Sequence, residues 1–140
     1  MSVKQVIVMR KDLKMRRGKE IAQGSHASIA FLTRKLQRFW ADLNAPYQPG
    51  GPVPPNFDIY FTHVEREWIN GIFAKVCVRV NSEEELLEIE RKAREAGLEV
   101  HLITDSGKTE FAGVPTNTCL AIGPDEASKI DAITGHLELY

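Results

Sequence analysis

Six cationic side chains, Arg10, Lys11, Lys14, Arg16, Arg17 and Lys19, fall within ten residues near the start of a 140-residue chain. A periodic segment of helical character follows at once, with Gly18 at its entry. Anions are favoured at such a place, because the free backbone N–H groups of a helix N-terminus, its dipole and the basic side chains all act in the same direction. The GxxxxGK(S/T) and GxGxxG patterns are both missing, so neither a P-loop nor a dinucleotide fingerprint is present. Phosphate or nucleic-acid recognition and a solvated basic loop are the two readings left open. A second group, Asp105-Ser-Gly-Lys108-Thr109-Glu110, follows an apolar run. Asp and Gly commonly make a turn in which the carboxylate accepts a backbone hydrogen bond. The competing reading is a carboxylate at a strand end, beside a lysine and a hydroxyl, able to orient or deprotonate a water.

Other residues need the same double reading. Lys19 is either an exposed solubilising group or part of the anion site. His26 lies seven residues further on, about 10 Å along a helix and too far for direct proton exchange with Lys19. Its small neighbours Ser25, Ala27 and Ser28 favour a satisfied core histidine. Thr116 and Thr118 lie beyond Pro115 and share one face of a strand, with Asn117 on the other. Ser25 and Ser106 have no base placed beside them in a recognisable motif. The four histidines show no metal-ligand spacing, so metal binding is not indicated.

The net charge of −1 conceals an asymmetry. Residues 1–38 hold ten basic and two acidic side chains, a balance of +8, and residues 39–140 hold eight basic and seventeen acidic ones, a balance of −9. The local field at the first segment, not the total, is what an anionic partner meets. With 43% hydrophobic and 26% charged residues the composition excludes disorder and collagen-like chains. No apolar run reaches the length of a membrane span and no signal peptide is evident, so a cytoplasmic protein without membrane contact is expected. Cys77 and Cys119, each inside an apolar run, fit buried free thiols.

The elements that must position these groups follow from periodicity. Gln5 to Met9 reads as a strand buried on both faces. From Lys19 to about Trp40, Ala22, Ser25, Ile29, Leu32 and Leu36 form a stripe on a helix. Asn44 to Asn56 holds five of the seven prolines, so a loop or insertion is expected at about residues 41–70, with a short strand or turn and a partial helix over Asp58 to Asn70. Ile72 to Val80 reads as a strand. Ser82 and Glu85 form a capping-box pattern for a helix closed by Gly97. Glu99 to Thr104 and Asn117 to Ile122 read as strands, Pro124 opens a short acidic turn into Ala127 to Ile133, and Gly135 to Tyr140 extends an edge or packs back on the sheet. One domain over residues 1–140 is expected: a three-layer α/β/α fold with about four strands, in which the loops after the first and third strands meet at one end.

These blocks resemble the Pth2-type peptidyl-tRNA hydrolase family. The resemblance lies in Lys4-Gln-Val-Ile-Val-Met-Arg-Lys-Asp-Leu-Lys-Met15, Arg17-Gly-Lys-Glu-Ile-Ala-Gln-Gly-Ser-His-Ala27, Thr104-Asp-Ser-Gly-Lys-Thr-Glu110, Thr118-Cys-Leu-Ala-Ile-Gly-Pro124 and the ending Ile130 to Tyr140. It implies a mixed sheet, a frequent homodimer, no cofactor, and hydrolysis of the ester between a peptide and the terminal ribose of tRNA. It places the family's lysine on Lys19, its histidine on His26, its D-x-G-x-T aspartate and threonine on Asp105 and Thr109, and a further threonine on Thr116 or Thr118. Lys19, Asp105 and Thr109 are then the catalytic candidates, with His26, Thr116 and Thr118 supporting. Arg10, Lys11, Lys14, Arg16, Arg17 and Lys108 are candidates for tRNA phosphates. Where the family commonly reads Q-D-A-G-R-T-Q, this chain has Thr104, Ser106, Lys108 and Glu110 at the variant places, and Glu110 is expected to repel a phosphate. The aromatic flanks of the proline-rich stretch, Tyr47, Phe57, Tyr60 and Trp68, are expected to cover the site or touch a partner. A non-catalytic RNA-binding or protein-interaction module on the same fold is the alternative.

Overall fold

Apolar runs and amphipathic segments alternate along the chain and become β1 (Val3–Arg10), α1 (Arg17–Asp42), α2 (His63–Asn70), β2 (Lys75–Val80), α3 (Glu83–Glu95), β3 (Val100–Asp105), β4 (Thr116–Glu126) and α4 (Ala127–Thr134). The computed structural model describes residues 2–43, 48–51 and 58–140. Most of the proline-rich stretch, with Tyr47 and Phe57, lies outside the described residues.

The four strands form one mixed sheet in the order β2-β1-β4-β3, with β1 parallel to β2 and β4 antiparallel to both β1 and β3. Side chains alternate across β1 as a strand requires. Val6 and Val8 join Leu86, Ile89 and Ala93 of α3 and Ile130 of α4 on one face, whereas Ile7 and Met9 join Ala27 of α1, Cys119 and Ala121 on the other. The three layers expected from the sequence are therefore present. Ser82 Oγ accepts from the Glu85 N–H at 3.1 Å, and the Glu85 carboxylate accepts from the Asn81 N–H at 3.0 Å, so the expected cap of α3 forms with its return bond one residue upstream.

Four expectations need correction. The buried residues of α1 are Gln23, Ala27, Ala30 and Phe31, not the stripe through Ser25 and Ile29. The helix lies mainly over β4 and β3 and touches β1 less, which leaves β2 the least covered strand on that face. Ser25, Ile29 and Leu32 border the resulting groove of about 860 Å³, with Ile7, Met9 and Cys77 among the other lining residues. Helical periodicity identifies apolar faces but does not say which one meets the sheet. Second, Pro124 does not open a turn. It lies in β4 at a bulge, where the register with β1 changes between Ile122 and Asp125. Gly123 sits there at φ +92°, and a Cβ on it would come within 2.9 Å of the Lys4 carbonyl oxygen. Third, β2 begins at Lys75, because Ile72 and Phe73 belong to the exposed turn after α2. Trp68 is buried, its ring edge-on to Phe31 and its indole N–H donating to Ala74 O at 2.9 Å, and so is a core residue and not a cover for the site. Tyr60 is exposed. The final residues do extend an edge: Arg79 N–H donates to Glu138 O at 3.0 Å and Tyr140 N–H to Cys77 O at 3.1 Å.

Leu120 is fully buried in the central strand β4. Truncating a leucine in such a place removes buried methylene area and leaves a cavity, so Leu120→Ala is predicted to lower unfolding free energy by about 2–5 kcal/mol. Denaturant unfolding monitored by circular dichroism measures this; a loss below about 1 kcal/mol would contradict the packing described.

Candidate active site

β1 and β3 are both antiparallel to β4, so they point the same way and their C-terminal ends, Arg10 and Asp105, lie at one end of the sheet. The chain leaves β1 through the basic loop and enters α1, placing Lys19 in the helix's first turn. Its ammonium donates to Asp105 Oδ1 at 2.8 Å and to Thr109 Oγ1 at 3.0 Å. Only 14% of the lysine side chain and 12% of the aspartate side chain are exposed, so the pair is largely shielded from water. The sequence separation of 86 residues is closed by the sheet.

The carboxylate of Asp105 has two further donors. Gly107 N–H bonds Oδ2 at 2.8 Å, which is the Asp-Gly turn read from the sequence, and the Gln23 amide bonds Oδ1 at 3.3 Å. The turn and the site therefore coexist in one residue. Lys19 first, with the Gly107 N–H, its charge and Gln23 behind it, holds Asp105 below the usual carboxylate range despite the opposing effect of desolvation. Gly107 has φ +78°, and a Cβ there would stand 2.2 Å from Val114 O, so only glycine lets the loop close behind the aspartate.

Gln23 has no assigned role in the sequence reading. It is buried one helical turn after Lys19, on the same face as Ala27 and Ala30. A polar residue on the small-residue face that packs against the sheet was the available signal. Thr118 donates from Oγ1 to Gln23 Oε1 at 2.5 Å, which turns the amide nitrogen towards Asp105. That contact depends on a β-bulge. Ile103 pairs with Cys119 but Thr104 pairs with Asn117, so Thr118 is the extra residue on β4. Strict alternation is broken there, and both Thr118 and Cys119 contact Gln23. Of the two threonines, Thr118 is therefore the one linked to the carboxylate. Thr116 pairs with Asp105 across the ladder, but its hydroxyl donates to Val114 O at 2.8 Å.

The remaining candidates separate by environment. His26 is exposed, contrary to the core reading, because its side of α1 turns away from the sheet. Arg10 is 8% exposed and does not face solvent as a phosphate contact would. Its guanidinium takes both oxygens of Asp12, at 3.1 and 2.7 Å, together with Asn117 O at 3.0 Å and Glu83 at 3.4 Å. It is a brace between the basic loop, α3 and β4. Lys11, Lys14, Arg16, Arg17 and Lys108 are exposed. Arg16 pairs with Glu110 at 2.9 Å, so the expected repulsive carboxylate is held by a cation of the loop opposite. Among the described residues no group of three or more His, Cys, Asp or Glu is arranged to hold a metal ion, and no helix is long and apolar enough to cross a membrane.

The family described as peptidyl-tRNA hydrolase PTH2 matches residues 3–140. The chain belongs to this family. It is 41% identical over 138 residues to the peptidyl-tRNA hydrolase of Methanocaldococcus jannaschii and, equally, to that of Methanothermobacter thermautotrophicus, covering 98% of this chain and 99% of each relative. Identity to the Nanoarchaeum equitans peptidyl-tRNA hydrolase is 42%, over 99% of both chains. A solved protein of unknown function from Agrobacterium tumefaciens has a similar fold, with a TM-score of 0.54 at 14% identity over 100% of this chain and 98% of that one. In this PTH2 chain the residues that carry the sequence resemblance at Lys19, Asp105 and Thr109 are also the residues brought into one hydrogen-bonded cluster.

Because the folded-state pKa of Asp105 is depressed, the linked stability is present above the ordinary carboxylate pKa and is lost as pH falls through the lowered value. Lys19→Met removes the largest cause of the shift. The Asp105 carboxyl is then predicted to titrate at higher pH, as followed by carboxyl ¹³C NMR; an unmoved titration would show that the ion pair does not set its charge.

Proposed function

We propose that this protein hydrolyses the ester linking a peptide to the terminal ribose of tRNA, releasing free tRNA and peptide. The observation that carries the reading is the shielded Lys19–Asp105 pair, joined by the exposed Thr109, at the mouth of an exposed cationic loop, in a chain of the PTH2 family. Lys11, Lys14, Arg16, Arg17 and Lys108 bind phosphates, which positions a tRNA without reading its sequence. The ester is reactive enough for attack by water, and the proposed steps use only side chains.

The ionised Asp105 accepts a hydrogen bond from the attacking water and aims its lone pair at the carbonyl carbon. The carbonyl oxygen gains charge as the C–O bond forms, and the Lys19 ammonium stabilises it. The same movement of Lys19 removes the cation that depresses Asp105, so the carboxylate becomes more basic as the water gives up its proton. When the ester C–O bond breaks, that proton passes to the departing ribose oxygen. Thr109 holds the ammonium between these positions, and the Thr118–Gln23 relay fixes the carboxylate. His26 and Thr116, both near this end of the fold, take supporting places beside the substrate.

The proposal also includes the cytoplasm as compartment and a homodimer as assembly. Ile21, Ile29 and Phe73, which are 64%, 49% and 50% exposed along the groove beside α1, favour association of two copies there. Ile29→Glu is predicted to convert a dimer to a monomer in sedimentation velocity; a wild-type monomer would overturn that part.

Asp105→Asn tests the chemistry. Asparagine keeps the acceptor for Gly107 but cannot take the proton, and loss of a general base typically costs about 10² to 10⁴ in rate. The thermal melt is predicted to stay close to wild type and tRNA affinity to hold or tighten slightly, while single-turnover hydrolysis of peptidyl-tRNA collapses. Normal folding and binding with near wild-type turnover would remove Asp105 as the base. Tight tRNA binding by a wild-type protein that leaves the ester intact would favour the non-catalytic module.

A further inference from the structure

Beside Lys19 the loop after β3 makes an unusual turn. Phe111, Ala112 and Gly113 have φ of +65°, +52° and +79°, three successive residues in the left-handed region, two of them not glycine. Side chains there cost conformational energy, and such strain persists only where surrounding contacts impose it. Here the turn is locked by Gly113 N–H donating to Gly107 O at 2.9 Å and by Val114 N–H donating to Phe111 O at 2.9 Å. The result is to lay the Phe111 ring beneath the Lys19 ammonium, 6.0 Å from the ring centroid. The ring packs against the apolar cluster of Met9 and Met15 and is only partly buried there. Ala112, Gly113, Val114 and Pro115 around it are exposed and carry no charge. An aromatic face thus stands beside the charged Lys19–Asp105 pair, fixed by a backbone that its own residue types disfavour.

We infer that Phe111 is a specificity-determining residue: its ring is the platform on which the base of the tRNA's terminal nucleoside stacks, placing the attached ribose ester at Lys19 and Asp105. The inference rests on the hydrolase reading above. Unpaired bases are commonly held by stacking on aromatic rings, which is the one contact every base offers. The base is also the part of the substrate nearest the ester that does not vary with the peptide. A rigid ring suits an invariant planar group better than it suits side chains of every shape. Among the residues beside Lys19, the Phe111 ring offers the aromatic face.

The test uses two substrates: N-acetyl-leucyl-tRNA with its terminal adenosine intact, and the same tRNA with that base replaced by hydrogen. Phe111→Leu keeps the apolar packing under the ring and removes the stacking face; Phe111→Trp restores a face. On intact substrate Phe111→Leu should lower kcat/KM on the order of ten- to a hundredfold, mostly through KM, the range expected for one lost base–aromatic stack. Phe111→Trp should stay near wild type. On the base-less substrate wild type and both variants should share one reduced kcat/KM. Equal losses for Phe111→Leu on the two substrates would assign the ring a purely structural role and overturn the inference, as would no loss on the intact one. A wild-type protein inert towards intact substrate would overturn the hydrolase reading itself, and with it this one.

Discussion

β4 hydrogen-bonds to β1 along one edge and to β3 along the other, antiparallel to both, and the direction of every functional segment follows from that. Had either partner been reversed, the basic loop and the D-x-G-x-T loop would leave opposite ends of the sheet. With both orientations fixed, α1 starts above the end of β3, and a lysine in its first turn reaches an aspartate 86 residues away. The same strand supplies the adjustment at short range. Its bulge at Thr118 turns a hydroxyl towards α1 where a regular strand would have turned it to the other face, and the hydroxyl settles the orientation of the Gln23 amide.

Charge in this protein divides into braces and contacts. Arg10 and Arg16 stand in the same cationic run as Lys11, Lys14 and Arg17, yet Arg10 is enclosed by Asp12, Glu83 and the Asn117 carbonyl, and Arg16 is paired with Glu110. A buried guanidinium with several acceptors fixes geometry, since removing one partner leaves an expensive unpaired charge. The pair of Arg16 and Glu110 is different, because its guanidinium is exposed. It is weak in water, so a phosphate can exchange with the carboxylate at little energetic cost. Arg10 thus makes the loop rigid, while the exposed residues keep it available to an anion.

The two sides of α1 serve different ends. Gln23, Ala27 and Ala30 allow the helix to lie close to β4 and β3, and this closeness is what brings Lys19 and Gln23 within hydrogen-bond reach of Asp105. Ile21, Ile29 and Leu32 line a groove with Met9, Cys77 and Trp68. Larger residues at 27 or 30 would lift the helix and open the site, whereas changes along the groove leave the site's floor intact. The site and the groove thus lie on opposite flanks of one helix.

The sequence alone determined the order and kind of the elements, the cationic loop before a helix, the Asp-Gly turn at a strand end and the family to which the blocks belong, because each of these is local or is carried by residue order. Tertiary structure decided the rest. Which stripe of α1 meets the sheet depended on where the sheet had room, so Ser25 and Ile29 face the groove, His26 faces solvent, and Gln23 became part of the site. Which threonine joins Asp105 depended on one extra residue in β4, a register detail invisible to alternation. Arg10 is enclosed and does not face solvent because Glu83 and Asn117, distant in sequence, close around it. Periodicity and composition report what a residue prefers; burial and partners are set by chain segments that meet only after folding, and those are what fix the charge and direction of each side chain in the site.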